Sequence, residues 1–278
     1  MITALSVNVP EEPTGIKKLI NMLRCDRINV EIKRARGVSL KHITYTSYSG
    51  KIHLEKADKI IGAQRNHLLC SDKLRFPPGN GYKRFYSTMF SARLCINMAL
   101  CVLMECACPE KLRIGIYDPK ALMPEFLLTV LEYSSDVAVI TQNCEQYYCV
   151  VSRAMDELGA SAVVTKNISE LVDCTFIIAP DVIEEKLPLR SDAVVLTVAC
   201  PKVPTSGLVY YKYHFRMPNG FDEIKPDDMD EEYFCSALYT LGSQYELGSI
   251  VPMVCRNFSS SQTVKSLCAY VNRLYVLK

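Results

Sequence analysis

The chain has 278 residues, and its 32 Lys+Arg against 30 Asp+Glu leave a net charge of +2. That length suits one large domain or two ordinary ones, and a 49% hydrophobic, 22% charged composition excludes an intrinsically disordered chain. The even charge balance also argues against a dedicated nucleic-acid binder, which carries a strong basic excess.

Residues 1–110 read as an α+β domain. Thr14–Arg24 sets Ile16, Leu19, Ile20 and Leu23 on one face at helical spacing. Short β-type runs follow at Asn29–Arg34 and His42–Tyr48, then Lys51–Leu54 after a Ser-Gly turn. The pattern of Asp58–Leu69 leaves a short helix and irregular structure equally open. Phe76-Pro-Pro-Gly-Asn-Gly81 is a strong breaker, and Tyr82–Cys106 follows as one long helix stopped near Pro109. The most apolar run, Leu94–Cys106, lies in that helix. It is interrupted by Asn97 and is shorter than the roughly 20 apolar residues of a spanning helix, so a buried helix and no membrane partner are expected.

From Lys111 to the end, strands and helices alternate. Leu112–Tyr117, Val137–Thr141, Ala162–Thr165, Thr175–Ala179 and Ala193–Val198 read as apolar strands, with Val209–Tyr213 a candidate sixth. Helices are expected over Pro124–Tyr133, Cys144–Leu158 with a Gly159 stop, and Ile168–Val172. Continuous apolar strands joined by helical crossovers imply a parallel sheet covered on both faces. The fold class is therefore α/β: a doubly wound, mainly parallel sheet over 111–278, preceded by the smaller α+β domain. The acidic run Asp227–Glu232 reads as a solvated helix start. Helices over Asp230–Gly242 and Ser260–Leu277 close the chain. The last has Val264, Leu267, Cys268, Val271 and Leu274 on one face, suited to docking back on the body, with the N-terminal unit as one place to return to.

Leu112–Pro201, roughly a third of the chain, resembles the Rossmann-like nucleotide-binding superfamily. In Asp173-Cys-Thr-Phe-Ile-Ile-Ala-Pro180 a strand ends in a small residue and proline, similar to shikimate-dehydrogenase-like cofactor domains. The resemblance implies a cofactor crevice at the strand ends, formed by Asp118, Thr141, Gln142, Asn143, Ala179, Pro180 and Asp181, with NAD or NADP as the implied cofactor. The sequence departs from that pattern where it matters. A dinucleotide loop needs glycine for a tight turn and for close approach to the pyrophosphate. Here Tyr117-Asp-Pro-Lys-Ala-Leu-Met-Pro124 has no glycine, and its prolines remove backbone donors. Thr141-Gln142-Asn143 supplies neither the ribose-binding acid of an NAD site nor an NADP-type arginine. Asp118 and Asp181 can line one crevice, yet aspartate at such a position is also a common helix cap.

A second candidate lies at Gly79, Gly81, Lys83 and Arg84, where two glycines lead into the expected helix and two cations occupy its first turn. Exposed N–H groups, the helix dipole and the cations together attract phosphate or carboxylate. The alternative is a connecting turn with a solvated basic helix start. The 13 cysteines are odd in number, and Met1-Ile2-Thr3-Ala4 does not open a secretory leader, so reduced thiols in a cytoplasmic protein are expected. Cys106-x-Cys108 lacks a second pair, Cys144-x₄-Cys149 falls on a helix, and no metal is expected. Cys200, at the end of a strand, is the candidate nucleophile, with packing as the alternative. His42 and His53 fall in an expected hairpin and face solvent on the plain reading. His214 sits in the aromatic and basic stretch Tyr210–Arg216, which suits either stacking on a planar ligand or an edge strand. No Ser/His/Asp arrangement is visible.

Three readings follow. The first is binding of a small anionic or nucleotide-like ligand by a degenerate Rossmann-like domain without standard dehydrogenase chemistry. The second is an NAD(P)-dependent oxidoreductase with a glycine-free loop. The third is a non-catalytic scaffold or regulatory homodimer.

Overall fold

The computed structural model describes residues 2–10, 25–48, 53, 55–242 and 247–276. The expected Thr14–Arg24 helix and the Ser-Gly turn with all of Lys51–Leu54 but His53 lie outside them. The chain forms two compact units, and each is interrupted in sequence. The first comprises Met1–Ser87 with Met217–Leu247, the second Thr88–Arg216 with Gly248–Lys278. This corrects the single cut expected between 110 and 111. The long apolar helix belongs to the second unit because it covers that unit's sheet. The segment from Met217 belongs to the first because Asn219, Tyr233 and Ser236 are hydrogen-bonded to it.

The first unit is built on a four-stranded sheet of β1 (Ile2–Asn8), β2 (Arg27–Ala35), β3 (Val38–Thr46) and β4 (Leu69–Cys70), in the order β2-β3-β1-β4. β2 and β3 pair antiparallel, whereas β1 runs parallel to both β3 and β4. Leu5, Ile43, Tyr45, Ala57, Ile61, Leu68, Cys70 and Tyr82 form its apolar core. The region read as helix or irregular holds both: a helix over Glu55–Ile61, a 3-10 turn over Gly62–His67, then β4. From the later segment, Asn219 accepts from Arg36 Nε at 2.7 Å, the Tyr233 hydroxyl accepts from Cys70 N at 3.4 Å, and Ser236 Oγ donates to Ser87 O at 2.8 Å. The helix over Glu231–Leu241 is capped by Asp230, whose carboxylate accepts from the N–H groups of Glu232 and Tyr233.

The second unit contains six parallel strands, β5 (Ile114–Tyr117), β6 (Val137–Ile140), β7 (Val163–Thr165), β8 (Phe176–Ala179), β9 (Val194–Thr197) and β10 (Leu208–Tyr210). Their order is β10-β9-β8-β5-β6-β7. Counted from β5, this is the 3-2-1-4-5-6 order of a doubly wound sheet. The central strands β5, β6, β8 and β9 are buried at every position because both faces are covered. The Met89–Glu105 helix lies against β8 and β9, while Tyr117, Ala138, Ile140, Ile177, Ala179 and Val195 pack on the other face with Leu171, Cys174, Ile183 and Leu187. The Cys144–Leu158 helix ends where expected, with Gly159 in the left-handed region at φ +64°.

The candidate sixth strand, Val209–Tyr213, divides in two. β10 completes the parallel sheet, and β11 (Lys212–His214) joins β12 (Val254–Arg256) and β13 (Ser261–Thr263) in a small antiparallel sheet. The final helix, Val264–Val276, packs against the Met89–Glu105 helix within the second unit, with Leu267 and Val271 buried. Among the described residues no helix is long and apolar enough to cross a membrane.

Candidate functional site at the carboxyl edge of the six-stranded sheet

In a sheet of this order the crossovers reverse direction between β5 and β8, and the crevice outside their carboxyl ends is where such folds bind ligands. The sequence places Asp118 directly after β5 and Pro180-Asp181 directly after β8. Lys120 reaches across the reversal, with Nζ 3.0 Å from Asp181 Oδ1 and 2.7 Å from Oδ2. The Asp181 side chain is 4% exposed and that of Lys120 64%. The carboxylate is thus a fixed buried partner, and the ammonium presents its outer side to solvent. Asp181 Oδ1 also accepts from Val182 N at 2.8 Å, and its carbonyl accepts from Thr197 Oγ1 at 3.2 Å. The hydrogen bond to Asp181 holds the Lys120 ammonium above the usual lysine value, so it stays charged.

Asp118 is spent on the loop that carries it. Its Oδ1 accepts from Leu122 N at 2.9 Å, and its Oδ2 accepts from Met123 N at 3.4 Å and from the Tyr147 hydroxyl at 2.9 Å. These N–H groups lead toward the next helix, and in a dinucleotide loop such donors face the pyrophosphate. Here a side-chain carboxylate of the same chain occupies the anion position. Ala121 sustains the tight turn with φ +53° in place of a glycine. Asp118 therefore ties down its own loop, and it is not a helix cap, since the following helix starts only at Phe126.

The loop after β6 is bound to the same turn. Gln142 N donates to Pro119 O at 3.1 Å and Asn143 Nδ2 to Lys120 O at 3.0 Å. Thr141 is buried, and its Oγ1 accepts from Asn143 N. Ala179 and Pro180 are buried where β8 ends. The structure thus brings the whole expected set to one edge, and adds two residues that the sequence reading passed over. Nothing local marks Lys120, whose partner Asp181 lies 61 residues further along the chain. Tyr147 carries no local signal, because its bond to Asp118 depends on how its helix packs.

The other candidates do not assemble. The long helix begins at Met89, not Tyr82, so Lys83 and Arg84 are not in its first turn. They lie in an extended segment whose backbone pairs with a distant loop: Lys83 N donates to Arg65 O, Leu68 N to Lys83 O, and Phe85 N to Leu68 O. Arg84 Nε donates to Cys70 O at 3.0 Å, and its guanidinium carbon sits 3.8 Å from the centre of the Tyr233 ring. Gly79 and Gly81 therefore form a connecting turn without a helix dipole behind it. Cys200 is exposed after β9, and among the described residues no histidine or carboxylate hydrogen-bonds its thiol. Its neighbour is Tyr211, whose phenol is pushed up first by burial and then by that thiol. Among the described residues no group of three or more His, Cys, Asp or Glu side chains is gathered as a metal site.

No protein-family model matches this sequence, and no curated protein matches it. Among solved structures the chain is similar to Δ1-pyrroline-2-carboxylate reductase of Thermococcus litoralis in complex with NADH and L-proline, at 12% identity and a TM-score of 0.29. That likeness covers 45% of this chain and 41% of the reductase, so the chain spans less than half of that relative's length. A second similar structure is L-tryptophan dehydrogenase from Nostoc punctiforme, at 9% identity and a TM-score of 0.29, covering 99% of this chain and 88% of that one. The fold assignment rests instead on strand order and direction, by which the second unit is a Rossmann-like parallel α/β domain.

Proposed function

We propose that the protein binds a small anionic or nucleotide-like ligand at the carboxyl edge of the six-stranded sheet, without the glycine-loop pyrophosphate contact of standard dehydrogenases. The observation that carries this reading is the Lys120–Asp181 pair straddling the β5/β8 reversal. A lysine is a compact, mobile point charge, and here a buried partner holds it at the β5/β8 reversal while its own side chain stays largely exposed. The Asp118 loop speaks against a dinucleotide in the usual pose, because its N–H groups already bind a carboxylate. The strand order alone favours NAD(P) as the alternative.

A thermal-shift series with inorganic phosphate, AMP, ATP, NAD and NADP tests the proposal. A ligand present at a hundred times its dissociation constant stabilises by roughly 2.7 kcal/mol, a rise of about 5–10 °C for a protein of this size. The double substitution Lys120→Met with Asp181→Asn removes the pair without stranding a buried charge and should abolish that rise. A series in which no anion stabilises the protein, or in which the double variant responds like wild type, overturns the reading. Stabilisation by NAD or NADP alone establishes the alternative.

A further inference from the structure

The first unit contains a separate constellation, assembled from residues far apart in the chain. Ser6 on β1 lies 2.8 Å from His42 Nε2 on β3 and donates its hydroxyl proton to Asp228 Oδ1 at 2.7 Å. With that proton committed to the carboxylate, Ser6 Oγ accepts from a protonated His42 Nε2. This is not the order of a nucleophilic triad, in which histidine takes the serine proton and the carboxylate holds the histidine. Here the carboxylate is the end of the line, so the chain of bonds positions Asp228 and does not activate Ser6. Burial, then Lys33, lower the His42 value, against the opposing charges of Asp228, Glu31 and Asp227.

Asp228 also lines a cavity of about 420 Å³, a size ordinary for small-molecule sites. Leu5, Val7 and Leu74 give it an apolar wall, and Ser71, Asp72 and Lys73 complete the lining. The sheet explains its place. β4 pairs with β1 only through Ala4↔Leu69 and Leu5↔Cys70, whereas β1 continues to Asn8. Asn8 O accepts from Ser47 N on the β3 side, and neighbouring residues of a strand turn their backbone groups to opposite sides. Val7 therefore faces the side on which β4 has ended. The cavity lies at this gap, at the carboxyl ends of two adjacent parallel strands, where α/β sheets bind ligands. Two carboxylates against one lysine leave its lining net negative. Ser6 occupies Asp228 Oδ1, and Oδ2 has no hydrogen-bond partner among the described residues.

We propose that this cavity binds a small aliphatic ammonium compound, its cation paired with Asp228 and its carbon chain against Leu5, Val7 and Leu74. Lys73 favours those members of the class that also carry a carboxylate. Ser6 and His42 are positioning residues for Asp228.

Isothermal titration of the full chain with butylamine, norvaline and pentanoate tests this. Saturable binding of butylamine or norvaline, with pentanoate silent, is the expected result, and norvaline binding tighter than butylamine assigns the carboxylate to Lys73. Asp228 is exposed, so Asp228→Asn should leave the urea midpoint unchanged while weakening the amine at least about tenfold, as loss of a charge-assisted hydrogen bond does. Ser6→Ala should give a smaller loss. In wild type the His42 ring resonances should move on adding the amine, a readout that needs no substitution. Absence of binding by both amines, equal binding of pentanoate, or unchanged affinity in Asp228→Asn overturns the proposal. These ligands carry no phosphate, so the outcome is distinguishable from that of the Lys120 experiment.

Discussion

Asp118 and Asp26 are both largely enclosed carboxylates, and their surroundings push them in opposite directions. Burial dominates at Asp118 and raises its value, against hydrogen bonds from Leu122 N, Tyr147 and Met123 N that favour the charged form. At Asp26 the hydrogen bond from the Tyr45 hydroxyl at 2.7 Å leads, followed by that from Lys56 Nζ at 2.9 Å, and together they lower the value below 3.8. The consequences for stability have opposite signs. As pH falls below 3.8 the unfolded chain takes up a proton at Asp26 before the folded one does, and the contribution of Asp26 is lost. At Asp118 the folded protein takes up the proton first, so its contribution grows as pH falls from its raised value toward 3.8. Urea unfolding of Asp26→Asn and Asp118→Asn beside wild type, from pH 3 to pH 7, reads this out. The gap between wild type and Asp26→Asn should narrow in acid, whereas the advantage of wild type over Asp118→Asn should increase or its deficit shrink. Parallel curves for the two variants would refute the assigned environments.

Among the elements, β5 shows how one small residue sets the packing of a layer. Gly115 points to the face that carries Leu171, Cys174 and Ile177, and a Cβ there would stand 2.6 Å from Leu171 Cδ2 and 2.7 Å from Ile177 Cδ1. Gly115→Ala should therefore destabilise by about 1–3 kcal/mol through overpacking, seen as a lower urea midpoint at unchanged slope. Made in a Leu171→Ala background, which removes the clashing Cδ2, the same substitution should cost less than it does in wild type. The strands of this sheet were legible in the sequence because burial on both faces leaves uninterrupted apolar runs such as Val137–Ile140 and Val194–Leu196. β1 was not legible. Ile2–Asn8 mixes Thr3, Ser6 and Asn8 among its apolar residues, and its strand character comes from two partners distant in sequence. The start of the long helix was misplaced for a similar reason: residues 82–85 have no local helix breaker, yet their backbone groups bond to residues 65–68. The site divides in the same way. The loops after β5, β6 and β8 follow from strand order, whereas Lys120 meeting Asp181, and Ser6 meeting His42 and Asp228, are matters of tertiary distance that no local pattern encodes.

At the scale of the molecule, the discontinuity of the second unit decides which pieces of the chain can fold. A chain of residues 111–278 lacks the Met89–Glu105 helix, and with it the buried Phe90, Leu94, Ile96, Met98, Val102 and Leu103. Each buried side chain of this kind contributes roughly 1.5–3 kcal/mol, and a whole domain is stable by only about 5–15 kcal/mol. A chain of residues 88–216 keeps that helix but strips it of the Val264–Val276 helix and leaves β11 without β12. Its losses include Leu267 and Val271, the bond from Ala107 N to Asn272, and that from the Cys268 thiol to Glu105 O. Neither chain should show cooperative unfolding or dispersed amide resonances. Residues 88–216 joined to 248–278 restore every one of these contacts. The antiparallel pairing of His214 with Val254 keeps the two cut ends within roughly 35 Å of each other at full extension, so a flexible linker of about twelve Gly/Ser residues is long enough to join them. That chain should unfold cooperatively. If residues 111–278 folded as well as the joined chain, the apolar helix would not be part of the second unit's core.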